Sequence, residues 1–225
     1  EPDYADAHFN LGNVYWIEMN YQVAAECYQK ALELENGNQA ALYHLALCMQ
    51  KLKKYEKALE LIDILVANAG LYEPDKIISG NPDRWDKVIS LNVSSVFRLI
   101  NLVLPYMKKN KFGDIAITSS ISGHQAIYWE PVYSATKHAI QSFAHGLRTQ
   151  VSKYNIRVIS IAPGVVLTEL WGINPKTEKN KIKHLVKKGT GLNVTEIVEC
   201  FDFALSRNRG TTIRDLVILP TNQDI

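Results

Sequence analysis

Residues 62–70 read Ile62-Asp63-Ile64-Leu65-Val66-Ala67-Asn68-Ala69-Gly70. A short apolar run closed by a glycine is the pattern of a strand buried in a parallel sheet. Two readings compete here. The helix that precedes the run stops near Leu61 and leaves 63–67 as a strand. Alternatively it continues to about Gly70, because Ile62, Leu65, Val66 and Ala69 also fall on one helical stripe.

Toward the C-terminus the pattern alternates. An amphipathic helix runs from Pro82 or Asp83 to about Lys109, and residues 113–120 (GDIAITSS) form a second strand. A helix follows from about Pro131 to Lys153, then strands at 156–164 (IRVISIAPG) and 215–220 (DLVILP). Strands alternating with long helices predict a parallel sheet with right-handed crossovers. Ligands in such sheets bind beyond the carboxyl ends of the strands. Asn68-Ala69-Gly70, Ser119-Ser120 and Pro163-Gly164 fall at those ends.

Tyr133-Ser134-Ala135-Thr136-Lys137 opens the helix that starts near Pro131. Spacing of i, i+4 puts the phenol and the ammonium on one helix face. A free phenol, with a pKa of about 10, is a poor proton donor or acceptor at neutral pH. A neighbouring lysine cation lowers that value and equips the phenol to protonate a carbonyl that receives hydride.

Ser120 lies 13 residues before Tyr133, Asn92 lies 41 before it, and Pro163-Gly164 begins 30 after it, followed by Val166 and Thr168. With Asn68-Ala69-Gly70, this set resembles the short-chain dehydrogenase/reductase family over about residues 62–225. The resemblance implies NAD(P)-dependent oxidoreduction of alcohols and carbonyls on a Rossmann-type sheet. It implies Tyr133 as general acid/base, and Lys137 as the group that binds the nicotinamide ribose and tunes Tyr133. Ser120 would orient the substrate oxygen, and Asn92 would hold a water in a proton relay behind Lys137. Asn68, Ala69 and Gly70 would border the cofactor, as would Pro163, Gly164, Val166 and Thr168. Residues 171–193 would form the substrate lid, with Trp171 and Ile173 lining it. His124, His138 and His145 are read as surface or structural, since no carboxylate or Cys partner sits at ligand spacing, and no metal site is expected.

The first sixty residues carry a repeat. Leu11-Gly12, Tyr21 and Ala24 recur 34 residues later as Leu45-Ala46, Tyr55 and Ala58. That period and the local words resemble tetratricopeptide (TPR) helix pairs over roughly residues 4–61. Small residues let paired helices approach, and Leu11, Tyr15, Tyr28 and Leu32 fill the groove between them. The resemblance implies a peptide-binding scaffold. Without a cluster of Lys, Arg or Asn on the first helices, a plain packing surface is the favoured reading.

The expected fold class is therefore α plus α/β, with TPR-like helix pairs at 1–61 and a truncated Rossmann-type domain at 62–225. What is missing is the Gly-rich phosphate loop of a dinucleotide site. Gly12 sits inside a repeat helix, and Gly189 and Gly191 follow no strand. The residue that would choose NAD or NADP is missing with it. The expectation is a chimera joined at a shared helix, with impaired or no turnover; a TPR-type binding module without catalysis is the alternative. The strand at 63–67 becomes a sheet edge, so a homodimer or a poorly soluble chain is expected.

Composition sets outer bounds. A net charge of +2 argues against a nucleic-acid partner, and the Lys-rich stretch from Lys176 to Lys188 reads as a solvated face. Three scattered cysteines without CxxC spacing fit a reducing cytoplasmic setting. The chain opens on Glu1-Pro2-Asp3, without an apolar leader, and no membrane span is expected.

Overall fold

The computed structural model describes residues 4–223. The described residues form two compact units that divide between Asp63 and Ile64.

The first unit is helical: α1 (Ala5–Ile17), α2 (Tyr21–Leu34), α3 (Gln39–Lys51) and α4 (Tyr55–Glu60). Helices α1 and α3 each have 13 residues and begin 34 residues apart. Met19 (φ 59°) and Lys53 (φ 58°) adopt the left-handed conformation at equivalent positions, where each first helix ends and the chain reverses. Gly12 is required by packing: a Cβ there would lie 2.6 Å from the ring of Tyr28, which is fully buried. Tyr28 donates to Asn13 Oδ1 at 2.9 Å and stacks on His44 at a centroid distance of 5.2 Å. Ala24, Ala25, Leu45 and Cys48 complete this core.

Helix α4 stops at Glu60, after six residues, where α2 has fourteen. The ambiguity at 62–70 is thus resolved as strand: β1 is Ile64–Ala67.

The second unit holds a four-stranded sheet of order β1-β2-β3-β4, with β2 at Gly113–Thr118, β3 at Ile156–Pro163 and β4 at Asp215–Ile218. Every pairing is parallel. All eight residues of β3 are buried, whereas Ile64 and Val66 on the edge strand β1 are about half exposed (49% and 45%). At the lower end of β2 and β3, Arg157 forks onto Asp114 with two bonds of 2.7 Å. Arg157 also donates to the carbonyls of Leu205 and Arg207, both at 2.8 Å, which pins the chain leaving α9 (Val194–Leu205).

The helix expected from Pro82 to Lys109 is continuous to Asn110 but not uniform. It comprises α5 (Pro82–Ile89), a π turn at Ser90–Ser94, and α6 (Ser95–Asn110). By length and composition this stretch could cross a membrane, contrary to the expectation that none would qualify. Val96, Ile100, Val103 and Met107 are buried, and α6 packs on β1 and β2 as a core helix does. Helix α7 (Pro131–Val151) starts with proline at its first position. The Lys-rich stretch forms α8 (Lys179–Lys187), where Ile182 is buried and Lys181 pairs with Glu178 at 2.8 Å.

Candidate active site

The upper ends of β1, β2 and β3 and the first turns of α7 surround a cavity of about 400 Å³. Strand β1 delivers Asn68, Gly70, Leu71 and Tyr72, and β2 delivers Thr118 to Ser122. Strand β3 delivers Pro163 to Val166 and Thr168, and α7 delivers Tyr133 and Lys137. Of the catalytic and cofactor-bordering residues expected from sequence, all but Ala69 and Asn92 line it.

Lys137 is 7% exposed and donates from Nζ to the Thr118 carbonyl at 3.0 Å. Its ammonium lies 5.6 Å from the centroid of the Tyr133 ring. Burial pushes Lys137 down to about 8. Tyr133 moves the opposite way from the sequence expectation: burial pushes it up to about 12 and the charge of Glu130 adds to this, while Ser120 pulls it back only in part. Desolvation disfavours the phenolate more than the Ser120 hydrogen bond favours it.

Asn92 lies behind the cavity wall in the π turn, 2% exposed. Its Nδ2 donates to the Leu71 carbonyl at 2.9 Å and to Thr136 Oγ1 at 3.3 Å, and its Oδ1 accepts from the Leu71 N–H at 2.8 Å. The π turn thus carries a side chain that holds the segment after β1, and such turns are frequent at functional sites. Thr118 Oγ1 donates to Asn68 Oδ1 at 2.7 Å, tying the ends of β1 and β2 together. Gly123 packs on α7: a Cβ there would meet the Lys137 carbonyl at 2.7 Å and Ser119 Oγ at 2.8 Å.

Several lining residues carried no local signal. Glu130, 3% exposed, accepts from Ser122 Oγ at 2.6 Å. The Tyr72 ring meets Tyr133 edge-on at 4.9 Å and Trp171 at 5.0 Å. Burial, reinforced by Glu130, pushes the Tyr72 phenol well above its ordinary value. Gln223 Oε1 accepts from Val165 N at 2.9 Å, so the end of the described chain returns over the β3 loop. Of the two lid residues, Trp171 lines the cavity, whereas Ile173 is buried against Leu167 and Ile182. His145 meets a carboxylate, Asp215, at 3.0 Å, supplied from β4. Among the described residues no metal-binding cluster occurs.

Comparison with known proteins agrees with this geometry. The model of the family described as short chain dehydrogenase matches residues 14–179. The match starts within α1, well ahead of residue 62 where the resemblance was expected to begin. The NADP-dependent 3-hydroxy acid dehydrogenase of Schizosaccharomyces pombe is 32% identical over 202 residues, covering 86% of this chain and 78% of that protein. An uncharacterised oxidoreductase of Staphylococcus saprophyticus is 32% identical over 167 residues, 73% of this chain and 67% of its own length. Among solved structures, 4-hydroxyisoleucine dehydrogenase complexed with NADH superposes with a TM-score of 0.63 at 28% identity, covering 83% of this chain and 77% of that one. The closed form of serine dehydrogenase complexed with NADP+ gives 0.67 at 23% identity, covering 84% of each, and speaks for the fold alone. The chain belongs to the short chain dehydrogenase family.

Proposed function

We propose that the second unit is the catalytic part of an NAD(P)-dependent alcohol/carbonyl oxidoreductase, with Tyr133 as the proton-transferring group. The observation that carries this reading is the meeting of Ser120, Tyr133 and Lys137 in one cavity at the carboxyl ends of a parallel sheet. A nicotinamide cofactor supplies the hydride. Lys137 has three N–H donors and spends one on Thr118, so two remain for ribose hydroxyls. Asn68, Ala69, Gly70, Pro163, Gly164, Val166 and Thr168 would border the nicotinamide end. Ser120 holds the substrate oxygen, and the Tyr133 hydroxyl gives that oxygen its proton. Asn92 acts by fixing the Leu71 backbone beside the cavity.

The residues fit the nicotinamide end better than the pyrophosphate end. Only Gly12 and Gly37 precede Gly70, one inside α1 and one in the turn after α2, so no Gly-rich loop is available to phosphate. Weak cofactor affinity and impaired turnover follow. The test is titration of NADH and NADPH by nicotinamide fluorescence, followed by ketone-dependent oxidation of the cofactor. Saturable binding and turnover that Tyr133→Phe abolishes are expected; no binding at millimolar cofactor would sink the reading.

We infer further that α1 to α4 are TPR-type helix pairs serving as packing surface, the two parts having been joined at a shared helix. The 34-residue offset of α1 and α3, with Met19 and Lys53 at matching turns, supports this. Gly12→Val should then unfold the first unit through Tyr28, seen as an early step in a thermal melt, while a single unchanged transition speaks against it.

A further inference from the structure

Glu130 lines the cavity, is 3% exposed, and has no Lys, Arg or His ion-paired with it among the described residues. Its known partners are neutral: Ser122 Oγ donates to it at 2.6 Å, and the Tyr72 hydroxyl interacts with it. A carboxylate offers about four acceptor positions, and two hydroxyls leave it without a counter-charge. Buried carboxylates are ordinarily paired with a cation, because hydroxyl donors alone recover only part of the hydration lost.

The neighbouring wall is aromatic. Tyr72 and Trp171 lie 5.0 Å apart at 33° and line the same cavity as this carboxylate. Aromatic walls favour cations over anions, most strongly where water is excluded. The other charged side chain on the wall, Lys137, is turned to the Thr118 carbonyl. No Arg lines the cavity, so nothing on the wall resembles the planar fork that would hold a free carboxylate.

We propose that Glu130 selects the substrate: the site takes an alcohol or ketone bearing an ammonium group, and discriminates against one bearing a carboxylate. This rests on the oxidoreductase reading of the same cavity. The ammonium sits against the Glu130 carboxylate and the Tyr72 and Trp171 rings, which directs the reacting carbon toward Ser120 and Tyr133.

The test uses three small alcohols of matched length: 4-amino-2-butanol, neutral 2-pentanol and anionic 4-hydroxypentanoate. Each is titrated into the whole chain by calorimetry with and without NADP, and each is assayed for cofactor reduction. The amine is expected to bind about 10-fold or more tighter than the neutral alcohol, as a charge-assisted contact of about 1.5–3 kcal/mol implies. The anion should bind most weakly. Glu130→Gln, nearly the same shape, should bring the amine down to the level of the neutral alcohol measured with the same variant. The wild-type ranking decides the matter even if that variant fails to fold. Equal binding of amine and neutral alcohol, tighter binding of the anion, or no binding at all overturns the proposal. Turnover of 2-pentanol without an amine preference overturns it while the oxidoreductase reading stands. Amine-selective binding without any turnover removes the oxidoreductase reading and, with it, the claim that Glu130 selects a substrate.

Discussion

The Asn92 side chain closes a two-point clamp on the backbone of Leu71, donating to its carbonyl at 2.9 Å and accepting from its N–H at 2.8 Å. The clamp spans 21 residues and joins the π turn between α5 and α6 to the segment leaving β1. Replacing Asn92 with Leu keeps most of the volume and strands both Leu71 groups. Each stranded group costs about 1–3 kcal/mol where it is not rehydrated. We expect Asn92→Leu to destabilise the second unit by about 2–4 kcal/mol, read from urea unfolding, and faster amide exchange at residues 70–72. A loss below about 0.5 kcal/mol would show that water replaces the amide at no cost.

Gly123 marks the closest approach of the turn after Ser120 to α7. A Cβ would press on the Lys137 carbonyl, which is helix backbone and cannot swing aside. Overpacking of this kind costs about 1–3 kcal/mol. Because the strain falls between Ser120 and the helix bearing Tyr133, Gly123→Ala should lower turnover by more than its loss of stability explains. Parallel assays of Tm and kcat check this; an unchanged kcat would mean that the turn yields elsewhere.

These two contacts also show what the sequence conveyed and what it could not. Tyr133 and Lys137 were legible because four residues on a helix form a local relation, and Ser120 because strand ends attract ligands. Glu130, Tyr72 and Gln223 reach the cavity by folding, and their partners are distant in sequence or set by loop paths. Residues 64–67 suited helix and strand alike; pairing of Ile64–Ala67 with Asp114–Ile117 decided between them. The π turn at Asn92 was invisible because one inserted residue barely alters an apolar stripe. For Tyr133 the sequence reported the neighbouring lysine but not the burial and the Glu130 charge that raise its value in the folded chain. The Asp215 partner of His145 was missed for the reason Glu130 was: it arrives from β4, 70 residues away.

Asp114 is the anion for two arginines, Arg157 with two bonds of 2.7 Å and Arg209 at 2.6 Å. Asp114 and Arg157 are each 4% exposed. Removing the carboxylate leaves the Arg157 charge buried and uncompensated, a change that costs about 3–5 kcal/mol. Asp114→Ala should therefore destabilise strongly, whereas Arg214, an exposed partner of Asp215, should matter little when replaced by Ala. Urea midpoints of the two variants make the comparison, and similar midpoints would contradict it.

Lys137 supplies a pH signature. Its ordinary value of 10.5 falls to about 8 in the folded chain because burial disfavours the ammonium. Between those values the unfolded chain holds more protons than the folded one, so unfolding becomes harder as pH rises. Below about 8 both states carry the proton and the burial penalty is fully present. Tyr133, raised from 10 to about 12, acts with the opposite sign and only above pH 10. The comparison that isolates Lys137 is with Lys137→Met, which keeps the stem and removes the charge. From about pH 8 to 10 the wild type should gain stability relative to this variant, by at most about 1.4 kcal/mol per pH unit. Urea unfolding at three pH values measures the difference. Curves that stay parallel, or converge in the other direction, would mean that Lys137 is hydrated in the folded chain and that its ammonium is not held in a dry wall beside Tyr133.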